Sequence, residues 1–254
     1  MKNYKTNILL IFSIAFFSCK SKGDSDTKTN KAGNNATVVS DTANPTDEKV
    51  IYADTIAIDY LKNKKLLDIL KSLPESTMST WTWSRPEREK TVAFIEKNNF
   101  IVDTTKMYNT IKYVEPNTIG IQVVDGFWTL SLYKFDENDF FVVTNDMTGD
   151  GNDIQTFNYK DNKLTPTKMT NWFREFYVKL LLSHSDECIN LFEENELTFA
   201  YDFSNEHTIE ISSILLNKNE HADCFKGNSI TYRLNTSKKT FEVARIYWKD
   251  DTNK

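Results

Sequence analysis

The stretch Asp146-Met147-Thr148-Gly149-Asp150-Gly151-Asn152-Asp153 has the residue types and spacing that most directly suggest chemistry. Oxygen-bearing side chains surround two glycines, and a sharp turn there would converge Asp146, Thr148, Asp150, Asn152 and Asp153 on a hard cation. Ca²⁺ is the ion expected, because it takes about six to eight oxygen ligands in adaptable geometry. Such an ion would stabilise a turn rather than run a reaction. The alternative is a polar hairpin turn, since Asp, Asn and Gly populate turns for backbone reasons alone.

This loop resembles an EF-hand in part. Asp146, Asp150 and Gly151 stand at its first, fifth and sixth positions, Thr148 is a weak third-position ligand, and Phe157 stands where a bidentate glutamate belongs. It also resembles the D-x-[DN]-G-D-G loops of extracellular β-repeat proteins, with Asp153 one residue early. Other chemistry is sparse. His184, His207 and His221 are the three histidines, and none falls in a paired ligand spacing, although His221 with Cys224 would supply half a zinc site. His184-Ser185-Asp186 contains the residue types of a hydrolytic triad, but triads are assembled from separated positions and the chain has no G-x-S-x-G elbow. Glu193, Glu194 and Glu196 are carboxylates of the kind a glycosidase uses, and equally the charged end of a helix. Trp81 and Trp83 point the same way if extended, which suits recognition of a sugar or a protein. Burial between two helices is their other reading.

The address is more legible than the activity. Lys2 and Lys5 form a positive segment, Ile8 to Phe17 an apolar one broken by Ser13, and Ser18 precedes Cys19. That order reads as a cleavable export signal, and its apolar run is about half the roughly 20 residues a membrane span needs. Phe16-Phe17-Ser18-Cys19 resembles a lipobox, departing from it in carrying Phe rather than Leu three positions before the cysteine. With the long polar segment that follows, it resembles the lipoproteins of the Bacteroidota. The resemblance implies cleavage before Cys19, acylation of its thiol with palmitate-type chains, and outer-membrane anchoring on the periplasmic or the outer face. It implies no fold. Lys20, Lys22, Asp24 and Asp26 resemble the charged signals that send some of these lipoproteins to the surface. Asp41-Thr42-Ala43, Asp54-Thr55-Ile56 and Asp103-Thr104-Thr105 resemble their O-glycan attachment sites.

Loss of residues 1–18 removes Lys2 and Lys5, leaving 29 basic against 36 acidic residues, a net charge of −7. That balance excludes a nucleic-acid binder, which needs a basic patch to release counterions. Residues 19–49 are too polar to build a core and read as a tether of about 30 Å behind the acylated cysteine. Residues 50–254 form the globular part. Its two cysteines, Cys188 and Cys224, are expected to pair in an oxidising compartment.

The elements that must position these residues follow from periodicity. Leu66, Leu67, Leu70 and Leu73 predict a helix over 59–73 that Pro74 stops, and Ser84 with Glu87 predicts a capping box opening a second helix to Asn98. Val92, Phe94 and Ile95 are expected to face the core. Period-two runs then predict strands near Tyr113, 119–123, 128–132, 141–143 and 154–159. Helices over 171–182 and 186–194 precede four more strands, near 197–203, 208–215, 229–234 and 241–248. The fold class is α+β: antiparallel β-meanders with packed amphipathic helices, with a pseudo-duplicated helix-plus-four-strand unit divided near residue 169 as one arrangement. The expected function is a lipid-anchored, non-enzymatic binding module for a protein or glycan partner. The alternatives are an envelope hydrolase acting on glycan or peptide, and a purely structural envelope lipoprotein.

Overall fold

The computed structural model describes residues 54–78, 81–124, 126–149, 151–167 and 175–249. Cys19 and the tether lie outside them. Helix α1 (Tyr60–Ser72) starts where Asp59 accepts from the amides of Leu61 and Lys62, and buries Leu66, Leu67, Ile69 and Leu70. A 3₁₀ turn (Glu75–Met78) leads to α2 (Arg85–Lys97). At its start the Ser84 amide donates to the Glu87 carboxylate at 2.8 Å, and this bond with that from the Ser84 hydroxyl holds the Glu87 carboxyl below its usual range.

The buried face of α2 is not the purely apolar one expected. Val92 and Ile95 are buried, but Phe94 is 62% exposed and Arg88 is 0% exposed. Positions 88, 92 and 95 share one helical face, and 94 lies off it. The Arg88 guanidinium donates to the carbonyls of Leu70 (3.0 Å), Leu73 and Trp83 (both 2.5 Å), so one side chain caps the end of α1 and fixes the strand-like approach to α2. Burial pulls its pKa down, and the charge of Glu75 opposes that effect.

Two sheets follow in simple meander order. A six-stranded sheet runs β3 (Thr110–Val114), β4 (Thr118–Val123), β5 (Gly126–Asp136), β6 (Asp139–Thr148), β7 (Gly151–Lys160) and β8 (Lys163–Pro166). The turn into β8 has Asp161 and Asn162 both at positive φ, the geometry that matches the twist of a tight hairpin. Before this sheet, β1 (Thr55–Ala57) pairs antiparallel with β2 (Ile101–Asp103). The second half adds α3 (Phe176–Leu180), α4 (Asp186–Asn195), β9 (Phe199–Asp202), β10 (Thr208–Ser213), α5 (Lys218–His221), β11 (Ser229–Asn235) and β12 (Thr240–Tyr247), with sheet order β12-β11-β10-β9. The α+β class with antiparallel meanders and packed helices is therefore what forms. Six strands against four give no repeated helix-plus-four-strand unit, and residues from Lys49 onward make one compact unit.

The large sheet is buried on both faces. Trp128, Leu130 and Leu132 of β5 with Phe140 and Val142 of β6 join Leu66, Leu70, Val92 and Ile95 in a first core. Tyr133, Phe141 and Val143 point the other way and join Phe176, Phe192, Phe199, Ile211, Ile230 and Phe241 in a second. A polar clasp holds the halves together. The Phe203 carbonyl accepts from the Asn117 amide (3.1 Å), the Thr118 hydroxyl (3.1 Å) and the Tyr133 hydroxyl (3.0 Å). Desolvation drives the Tyr133 pKa well up, so this phenol stays a donor at neutral pH. Cys188 and Cys224 form the expected disulfide, tying α4 to the segment after α5.

Two stability measurements check this packing. Arg88→Met leaves three buried carbonyls without their donor and is expected to cost about 3 to 5 kcal/mol in urea unfolding, with Arg88→Lys losing less. A cost below about 1 kcal/mol for Arg88→Met would contradict the capping role. Replacing Cys188 and Cys224 together by Ser opens a loop with a sequence separation of 36, and the chain-entropy relation gives a loss of about 4 kcal/mol. An unchanged melting temperature would show that the bridge does not constrain the unfolded chain.

Candidate functional site

The residues expected to ring a calcium ion are set apart by strand alternation. Asp146 pairs with Asp153, Met147 with Asn152 and Thr148 with Gly151 across β6 and β7, so the segment is a tight hairpin rather than a long ligand loop. Asp146, Thr148 and Asp153 lie on one face of the sheet and Asn152 on the other, because successive side chains alternate. Asn152 is already engaged: it accepts from the Asn145 amide at 3.0 Å and donates to the Phe199 carbonyl at 3.5 Å. Asp153 accepts from Gln155, whose amide also donates to Ser76. Asp150 lies outside the described residues. Among the described residues no group of three or more His, Cys, Asp or Glu is arranged to hold a metal ion. The described residues of the expected calcium set are therefore divided between the two faces of the sheet.

The tryptophan expectation is corrected. Trp81 and Trp83 are 7% and 5% exposed, stack with ring centroids 5.4 Å apart, and belong to the first core, where Trp81 meets Trp128 edge-on. Rings held there present no surface to a ligand. The remaining motifs also resolve into structure. His221 accepts from the Asn217 amide and cannot share a zinc ion with Cys224, whose sulfur is in the disulfide. The Ser185 hydroxyl caps α4 by accepting from the Cys188 amide. Thr104 is buried and thus inaccessible to a glycan, whereas Thr55 is exposed.

What the sequence did not announce is a cleft of about 690 Å³ built by elements of both halves. Strand β7 contributes Asn152, Asp153 and Ile154, α3 contributes Phe176 and Tyr177, α4 contributes Ile189, Phe192 and Glu193, and Glu196 and Tyr201 complete the wall. The aromatic side is mutually packed. Tyr177 lies 5.1 Å from Phe192, and Phe176 meets Tyr201 edge-on at 6.2 Å and Phe199 at 5.0 Å. Burial pushes the Tyr201 pKa up to about 12, and the Glu196 charge adds to it, so the phenol is neutral at physiological pH. Asn152 anchors the β7 wall to β9 through the Phe199 carbonyl. Glu193 and Glu196 were visible in the sequence only as charges, and they are exposed at the mouth. Tyr177 and Tyr201 carried no local signal, because their role arises from tertiary packing.

A second groove of about 450 Å³ runs between α1 and the loops of the second half. Its walls mix Lys62, Lys65 and Lys134 with Glu137 and Glu206 beside Leu61 and His207, so its charges largely offset one another.

Calcium titration checks this reading of the hairpin. Adding millimolar Ca²⁺ or a chelator is expected to move the melting temperature by less than about 1 °C, whereas a bound ion at a hundred times its dissociation constant would add nearly 3 kcal/mol.

No protein-family model matches the chain, and no curated protein matches it. Among solved structures, the chain is similar to a domain of an uncharacterized protein from Porphyromonas gingivalis W83, with a TM-score of 0.46 and 17% identity over 71% of this chain and 98% of that one.

Proposed function

We propose that the protein is a lipid-anchored component of the cell envelope whose globular domain binds a partner rather than turning over a substrate. The observation that carries the binding reading is the cleft between β7, α3, α4 and β9, which sets packed aromatic rings beside exposed carboxylates. Recognition surfaces are built this way, with rigid rings supplying area and polar groups supplying orientation. The envelope address rests on the segment before Cys19, and the Cys188–Cys224 bridge supports it, since structural disulfides persist in oxidising compartments.

A hydrolase is the second reading, favoured by the presence of two carboxylates, Glu193 and Glu196, at one cleft. A catalytic carboxylic acid must be kept protonated, which burial or a like charge achieves. Glu193 and Glu196 are exposed, a setting suited to attracting a ligand more than to donating a proton.

Labelling cells with a radioactive or clickable palmitate tests the address. The wild-type chain is expected to take up the label and to partition into detergent, and Cys19→Ser to do neither. Label on the Cys19→Ser chain, or none on the wild type, would overturn the anchor. For the domain, release of product from envelope glycan or peptide that disappears in Glu193→Gln would replace binding by hydrolysis.

A further inference from the structure

The larger cleft has a charge pattern that selects among partners. Glu193 and Glu196 line it, and no Lys, Arg or His does so among the described residues. Carboxylates beside a partly enclosed wall concentrate cations. Tyr177 and Tyr201 add aromatic rings, whose faces attract an ammonium or guanidinium within about 6 Å. The fold already uses this contact internally, with Arg245 placed 4.1 Å over the ring of Tyr247. Ile154 and Ile189 supply apolar wall. A long aliphatic stem carrying a cationic head matches that combination, since such side chains lay the stem on apolar surface and keep the head among polar groups. A bare metal ion would leave the rings and isoleucines unused, and a neutral sugar would leave the net negative charge unanswered.

We infer that the cleft between β7, α3, α4 and β9 receives a lysine or arginine side chain presented by a basic segment of a partner protein. This deepens the binding reading above and depends on it, but not on the membrane address. The Tyr201 phenol, neutral at physiological pH, adds no charge to the wall.

Calorimetric titration of the detergent-solubilised full chain tests it, using N-acetylated triarginine and trilysine amides as probes. Acetyl-lysine peptide, which lacks the charge, and chitotriose, a neutral sugar, serve as comparisons. Both cationic peptides are expected to bind and to weaken as salt rises from about 50 to 300 mM. Glu193→Gln with Glu196→Gln is expected to reduce affinity at least about fivefold, given two exposed charge contacts. Glu137→Gln with Glu206→Gln, in the other groove, is expected to leave it unchanged. Failure of both cationic peptides to bind would overturn the inference. So would undiminished binding by the Glu193/Glu196 variant, an equal loss in the Glu137/Glu206 variant, or preference for chitotriose. Basic-peptide binding by a Cys19→Ser chain that no longer reaches the membrane would support the cleft assignment independently of the anchor.

Discussion

A slip of one residue between β5 and β6 would send Tyr133, Phe141 and Val143 into the space filled by Trp128, Leu130 and Val142, and the reverse. Each face of that hairpin supplies a different core, one closed by α1 and α2 and the other by the second sheet with α3 and α4. Register is specified most strongly where a slip costs burial, and here it costs burial on both sides at once. The same alternation fixes what happens further along β6 and β7. It turns Asn152 toward the second half and Asp146 with Asp153 toward the first, so the described members of that oxygen-bearing run do not share one face.

Such a sheet leaves few polar groups access to water, and the chain meets that demand with long-range donors. Arg88 reaches three carbonyls around the end of α1. Lys112, also buried, donates to the carbonyls of Thr104 and Lys106. The carbonyl of Phe203 gathers Asn117, Thr118 and Tyr133. A buried carbonyl without a partner costs more than an ordinary hydrogen bond contributes, so these contacts act mainly by preventing a penalty. Their geometric effect matters for the site. The Phe203 clasp holds the end of β9 against the large sheet, and the Asn145–Asn152–Phe199 chain of hydrogen bonds holds its beginning. Tyr201 lies between those two points and is thereby set opposite the β7 wall.

Much of the fold was legible in the sequence. Leucine spacing, Pro74 and the Ser84–Glu87 box located the first two helices, period-two runs located most strands, and cysteine parity pointed to the disulfide. The elements that escaped are those whose stability is not local. Strands β1 and β2 are three residues each and exist by pairing with each other across both helices, and β8 is short and polar. The exchange of Arg88 and Phe94 between core and surface escaped because rules of amphipathicity count side chains, whereas the deciding factor was three carbonyls needing donors. For the site, the opposite holds: conspicuous residues such as Asp146, Trp81 and Trp83 became structure. The cleft came from five elements whose contributions are one to three residues each, a spread that no local pattern encodes.

Cooperativity of the two cores through β5 and β6 is the claim on which the placement of the cleft rests, and native-state hydrogen exchange resolved by residue tests it most directly. The amides of β5 and β6 should exchange only through global unfolding, with the slowest amides of α2 and of β11 lost at the same free energy. Protection that persists in one half after β5 and β6 have exchanged would show two independent units and contradict the account.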